Sequence, residues 1–382
     1  MRLHIATNRF IIGHTDYPGF PFLVDKHGKV VKPVLNFFVY YLIQRGRVQS
    51  KHSWKQYGQS LYDFFGFLEA NELDWDEEAV DGMPSVVAAY RDWALNNCKN
   101  VASTVNSRLR TISRFYQWAH ENEIIEKLPF DLEKVTVRKK GGSDFFSHVD
   151  ASGNKRQSPD IMLKEKKKPI RVLTTGQIHT LLTSIENDTH RLLVRLGLQT
   201  GMRADELATF PASYVIDCNT RKDIHNIVFT VLDPTEMRTK GSVPREIHIP
   251  KELMDDLWQY KVLKRRTRLP DDGQEPQTSL FLTEYGSPYR QSAFWSIFDH
   301  MSKKVGFKVT PHLLRHSYAT HTLNSMRRHT EVGNVLIYLR ERLGHASVNT
   351  TMVYLHFLDS IRDQVMDDYQ EQINKLYVES AP

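Results

Sequence analysis

The chain has 382 residues, 40% hydrophobic and 25% charged, proportions that exclude a disordered or collagen-like polymer and suggest two domains. Fifty-one Lys and Arg against 45 Asp and Glu leave a net charge of +6, a mild bias toward a polyanionic partner. The longest nearly apolar run, Pro33 to Ile43, falls short of the ~20 residues of a membrane span, the opening MRLHIATNRF lacks the apolar core of a secretory signal, and Cys98 and Cys218 alone fit a reducing, cytoplasmic setting.

Residues 1–33 place Gly13, Pro18, Gly19, Pro21 and Gly28 between short apolar pieces, which predicts a strand-and-turn extension. Over residues 34–135 the pattern turns helical. Trp54, Tyr57, Leu61, Phe64, Phe65 and Leu68 recur at steps of three and four, as do Val105, Leu109, Ile112, Phe115 and Tyr116, and each set predicts one buried helix face. Arg108, Arg110 and Arg114 lie off that stripe, where phosphate contact and simple solvation are both open.

Residues 136–171 read as a basic linker. Between Arg138 and Arg171 ten cations face four carboxylates, an excess equal to the whole net charge, without sustained periodicity. Lys139, Lys140, Lys166, Lys167 and Lys168 are its candidate phosphate contacts; a solvated tether is the alternative.

From residue 172 to 382 a mainly helical domain with a small sheet is expected. Thr174 and Thr175 can cap a helix carrying Ile178, Leu181, Leu182 and Ile185, and a second helical stretch over 192–210 is broken at Thr200-Gly201. Strands over Ile227–Leu232 and Glu246–Ile249 form a hairpin with Lys240 near its turn. Further helices are predicted over Ala293–Val305, around His312 and over Leu336–Leu343.

Three segments carry the chemistry: TGMRADEL at 200–207, HLLRHSYATH at 312–321 and LGHASVNTTMVYLH at 343–356. An Arg in the first, His-x-x-Arg in the second and Leu-Gly-His with Tyr nine residues later in the third resemble, in order, the tyrosine recombinase (phage integrase) family. The resemblance implies a helical SAM-like core-binding domain that contacts DNA, then a mixed α/β catalytic domain. It implies Arg203, Lys240, His312, Arg315, His345 and Tyr354 as catalytic residues, with Glu206 orienting the site.

Those residue types suit phosphodiester chemistry. A phenol with pKa about 10 attacks once deprotonated and leaves again on rejoining, so the phosphotyrosyl bond conserves the energy of the broken linkage and needs no ATP. Arginines fork onto nonbridging oxygens and keep their charge, while a lysine can give a proton to the 5′ oxygen. The 17 histidines come with no HExxH and no clustered carboxylate pair, so neither metal nor cofactor is expected; His316, His321 and His356 read as structural neighbours.

By resemblance the partners are double-stranded DNA carrying specific sites, further copies of the chain in a synaptic tetramer, and accessory DNA-bending or directionality proteins. Strand exchange would pass through a Holliday junction. A type IB topoisomerase and a non-enzymatic DNA-binding factor of the same fold are the rivals. Between Arg315 and His345 lie 29 residues, more than the family usually has, with SMRRHTEVGN as the insertion. The final stripe Ile361, Val365, Tyr369, Ile373 and Leu376 suits a helix docking on a neighbouring protomer or packing on its own subunit.

Overall fold

A computed structural model describes residues 1–7, 10–48, 50–78, 82–136, 155–165, 169–269, 277–327 and 330–359. The chain divides into two units, residues 1–167 and 168–382. Among the described residues all sheets are two-stranded and antiparallel, and helices dominate, so the fold is mainly α with small sheets. No described helix is long and apolar enough to cross a membrane.

In the first unit β1 (Arg2–Ile5) pairs with β4 (Pro21–Val24), Leu3 opposite Leu23, and β2 (Ile11–Ile12) pairs with β3 (Thr15–Asp16). Helices α1 (Lys32–Phe38), α2 (Lys51–Ala70), α3 (Val86–Asn96) and α4 (Ala102–Glu121) follow, α1 running on into a π-helical turn over Val39–Gln44. Period 3.6 puts Leu61, Phe64 and Leu68 of α2 and Val105, Leu109, Ile112 and Phe115 of α4 inward, where they are buried. Each such side chain contributes ~1.5–3 kcal/mol by leaving water. Phe20 and Leu23 sit in the same core, so the N-terminal strands are built into the helical unit rather than appended to it. Gly58 of α2 lets them close: a β-carbon there would stand 2.7 Å from Pro21 Cβ.

Part of the stretch read as linker is also fixed to this unit. β5 (Leu132–Thr136) pairs with β6 (Lys155–Pro159), Leu132 opposite Pro159. Beyond it, the buried amide of Asn106 on α4 donates to Leu163 O and accepts from Leu163 N, both at 2.9 Å. A polar group at that depth needs partners, and the passing backbone supplies them. Two-stranded pairing of polar residues leaves no hydrophobic period, which is why it was not legible. Lys139, Lys140, Lys166, Lys167 and Lys168 lie outside the described residues, as does the expected terminal stripe from Ile361.

The second unit opens with α5 (Thr175–Ser184), held by a capping box in which Thr174 Oγ1 accepts from Gln177 N and Gln177 Oε1 accepts from Thr174 N. Then come α6 (Asp188–Thr200), α7 (Ala204–Ala208), the hairpin β7 (Ile227–Leu232) and β8 (Arg245–Pro250), α8 (Lys251–Gln259), α9 (Gln291–Val305), α10 (Pro311–Met326) and α11 (Val332–Leu343). Residues 348–359 form a final described helix. One core joins Leu193, Leu207, Ile247, Phe281, Phe298 and Leu314, and a smaller one joins Leu323, Leu339, Leu343, Tyr354 and Leu358. The expected insertion, residues 325–334, spans the end of α10 and the start of α11, and its Met326 packs against the smaller core.

Candidate active site

Three backbone breaks bring the motifs together. Gly201 ends α6 in the left-handed region (φ +65), so the chain turns and sends Arg203 across to the end of α11. Thr310 caps α10 by accepting from Leu313 N at 3.1 Å, with Pro311 in the first helical position. His312, Arg315 and His316 then share one face by the i, i+3, i+4 rule. Gly344 (φ +60) closes α11 and presents His345, and the helix at 348–359 carries Tyr354 back toward α10.

Glu206 is the electrostatic centre. It is 1% exposed, accepts Arg203 N at 2.7 Å and Arg203 Nη1 at 3.1 Å, and takes both terminal nitrogens of Arg245 at 2.6 and 2.5 Å. Burial pushes its carboxyl up, but the Arg245 guanidinium and then Arg203 more than cancel this, leaving it lowered to about 2. Arg203 reaches on to Gly344 O at 3.0 Å, and Arg245 Nε to Arg342 O at 2.9 Å.

Arg315, also buried, donates to Gly201 O at 2.8 Å and Leu343 O at 2.5 Å, so one guanidinium ties together the ends of α6 and α11. Burial, then repulsion from Arg203 and Arg245, lowers it to about 9, which still leaves it charged at neutral pH. Held by carbonyls and one shared carboxylate, the guanidiniums keep an uncompensated positive field.

The histidines answer to that field. His345 Nδ1 lies 2.9 Å from Thr351 Oγ1, and burial, then Arg315 and Arg203, lowers its pKa to about 3. Burial followed by Arg315, Arg203 and Lys240 lowers His312. Lys240 itself is exposed in a tight turn before Gly241, near enough for its charge to reach His312. Tyr354 is 2% exposed; burial raises its pKa while Arg315 and Arg203 pull it down. Its ring stacks on His345 with centroids 6.3 Å apart, and its Oη stands 3.1 Å from Nδ1 of His316.

All seven positions expected from the motifs and hairpin thus converge in one unit. Two neighbours were missed. Arg245 stands just before the expected second strand and was assigned no role, yet strand alternation puts it in phase with the buried Ile247 and Ile249, and a charge on an inward face demands a partner. His316, read as structural, is the residue hydrogen-bonded to Tyr354. His321 does hold structure: its Nε2 is 2.8 Å from Leu173 O.

The arginines of α4 are less free than expected. Arg108 pairs with Asp63 at 2.6 Å, Arg114 donates to Tyr57 Oη at 2.6 Å, and Arg110, half exposed, pairs with Glu165 at 3.0 Å.

Residues 171–360 match the phage integrase family. Transposase A from transposon Tn554 of Staphylococcus aureus is 23% identical over 379 residues, 96% of this chain and 99% of that protein. Tyrosine recombinase XerA of Pyrococcus furiosus is 35% identical over 190 residues, 48% of this chain and 56% of its own. In fold the chain is similar to the XerH site-specific recombinase, seen in a crystal structure of a post-cleavage complex with palindromic difH substrate. That likeness has a TM-score of 0.56 at 18% identity and covers 91% of this chain and 90% of the other. The chain belongs to the phage integrase family, the tyrosine recombinases. It is a tyrosine-type site-specific recombinase.

Proposed function

We propose that this recombinase cleaves and rejoins double-stranded DNA at specific sites through a 3′-phosphotyrosyl bond to Tyr354, using neither metal nor nucleotide. The observation that carries this reading is the burial of Tyr354 close enough to Arg315 and Arg203 for their charges to offset part of the rise in its pKa that burial causes. An anionic phosphate has reason to enter such a field, while burial still leaves the Tyr354 phenol above its ordinary pKa, so it stays protonated until a base takes its proton.

In this scheme Arg203 and Arg315 take the nonbridging oxygens, and His345 donates a further hydrogen bond. Tyr354 Oη attacks phosphorus, the bond to the 5′ oxygen breaks, and Lys240 protonates that oxygen, with His312 assisting proton transfer. The fixed cations supply the charge stabilisation that other phosphoryl-transfer sites draw from metal ions. Glu206 orients Arg203 without touching substrate. Reversal by a 5′ hydroxyl from the partner strand joins the exchanged ends, and four protomers carrying this out in pairs would pass through a Holliday junction.

One relative, named a transposase from a transposon, lends support for a mobile-element substrate. Of the arginines on α4 we assign Arg110 to phosphate, because its exposed pair with Glu165 is worth little and is readily exchanged; Arg108 and Arg114 hold the unit's own side chains.

Labelled duplex DNA flanking the protein's own gene, incubated with EDTA and no nucleotide, tests the reading on a denaturing gel. The expected result is a protein-linked band that Tyr354→Phe abolishes. An adduct surviving Tyr354→Phe would overturn the nucleophile, an adduct that EDTA prevents would overturn metal independence, and relaxation of supercoils lacking these sites would favour the topoisomerase rival.

A further inference from the structure

The hydroxyl of Tyr354 has a partner that the motif residues do not include. His316 follows Arg315 on α10, one helical turn after His312, and its Nδ1 lies 3.1 Å from Tyr354 Oη. Its ring stands edge-on to His312, with centroids 4.2 Å apart, and its centroid is 5.5 Å from that of Tyr354. His316 is therefore in contact with both His312 and Tyr354.

We propose that His316 is a catalytic residue, the base that takes the proton of Tyr354 during cleavage and returns it during joining. The proposal rests on Tyr354 being the nucleophile. In cleavage the Oη–H bond breaks and the proton passes to Nδ1 of His316; the P–Oη bond forms as the P–O5′ bond breaks, and the released 5′ oxygen takes its proton from the acid already assigned. In joining, the incoming 5′ hydroxyl gives up its proton to that group, the P–Oη bond breaks, and Oη recovers its proton from His316. Charge and atoms balance within the site, and nothing is oxidised.

The surroundings suit a group that must be empty before it acts. Burial, then His312 and Arg315, lowers His316 to about 4, so at neutral pH the ring is uncharged; with Nε2 carrying its one proton, Nδ1 is free to accept. A phosphate seated on Arg203 and Arg315 cancels part of that positive field, so His316 becomes a better base when substrate arrives. His312, the family-pattern histidine, feels the charge of Lys240, which suits it to the leaving-group side of the reaction.

The test uses the full-length protein and a duplex of the gene-flanking DNA, nicked beside the cleavage position so that the adduct is trapped. His316→Asn keeps an acceptor and a similar volume, and His316→Ala opens a space for added imidazole. Both should bind the duplex like wild type in a gel shift but form adduct ~10²–10⁴-fold more slowly in single turnover. Between pH 6 and 9 the Asn variant's rate should rise tenfold per unit, as hydroxide replaces the base, and imidazole should speed the Ala variant. Rates within threefold of wild type, or a pH profile unmoved by either substitution, would overturn the proposal while a dead Tyr354→Phe left the nucleophile in place. Adduct from Tyr354→Phe would instead remove the reading on which the proposal rests.

Discussion

Arg245 and Glu206 face each other as a two-point pair, 2.6 and 2.5 Å across, with both groups almost wholly withdrawn from water. The pair joins β8 to α7, and the other arms of the same two residues reach Arg203 and the last turn of α11. Removing Arg245 would leave a buried carboxylate with Arg203 alone. Arg245→Ala should therefore cost ~3–5 kcal/mol in denaturant unfolding. Arg245→Lys, whose single ammonium cannot reproduce the fork, should recover only part of that. An unfolding midpoint unchanged in Arg245→Ala would show that the pair stabilises nothing.

The same pair sets an acid limb. Burial alone would raise the Glu206 carboxyl, yet Arg245 and Arg203 lower it to about 2 from an ordinary 4.5. The unfolded chain thus takes up this proton at higher pH than the folded one. The corresponding stability is fully present above pH ~4.5 and drains away as the pH falls toward 2, by at most about 3 kcal/mol. His316 and His345, lowered to about 4 and about 3, act in the same direction from pH ~6.5 downward, because the folded chain resists charging them. Comparing urea unfolding of wild type and Glu206→Gln isolates the carboxylate. The gap between them should be constant from pH 7 to 5 and narrow below 4; a gap that widened with acid would have the wrong sign.

Gly201 is confined on two counts. Its φ of +65° disfavours any side chain, and a β-carbon there would lie 2.4 Å from Tyr318 Cδ1 and 3.0 Å from Leu343 Cδ2. Its carbonyl is also one of the two that fix Arg315. Gly201→Ala should lose about 2–4 kcal/mol of stability and slow adduct formation beyond what stability explains, because the strain moves Arg315, which the proposed mechanism sets on a nonbridging oxygen. Full activity in a folded Gly201→Ala protein would mean that Arg315 is held independently of this turn.

Local chemistry in the chain determined the helices and the turns that carry the motif residues. The 3.6-residue stripe of α4, the Thr174 capping box and the glycines after α6 and α11 each act within a few residues, where propensity and solvent decide. The order of Arg203, His312, Arg315, His345 and Tyr354 stood out for a related reason: on the proposed mechanism, chemistry at phosphorus would constrain residue type more tightly than packing does. Tertiary structure alone decided what lies between those positions. That Arg245 would close on Glu206, that His316 rather than His312 would meet the Tyr354 hydroxyl, and that Asn106 would tie down Leu163 all depend on groups 39, 38 and 57 positions apart. Nothing in the local sequence carries such pairings. They arise because a buried charge or amide must find a partner at the depth to which the apolar faces carry it, and only the assembled core brings that partner within reach.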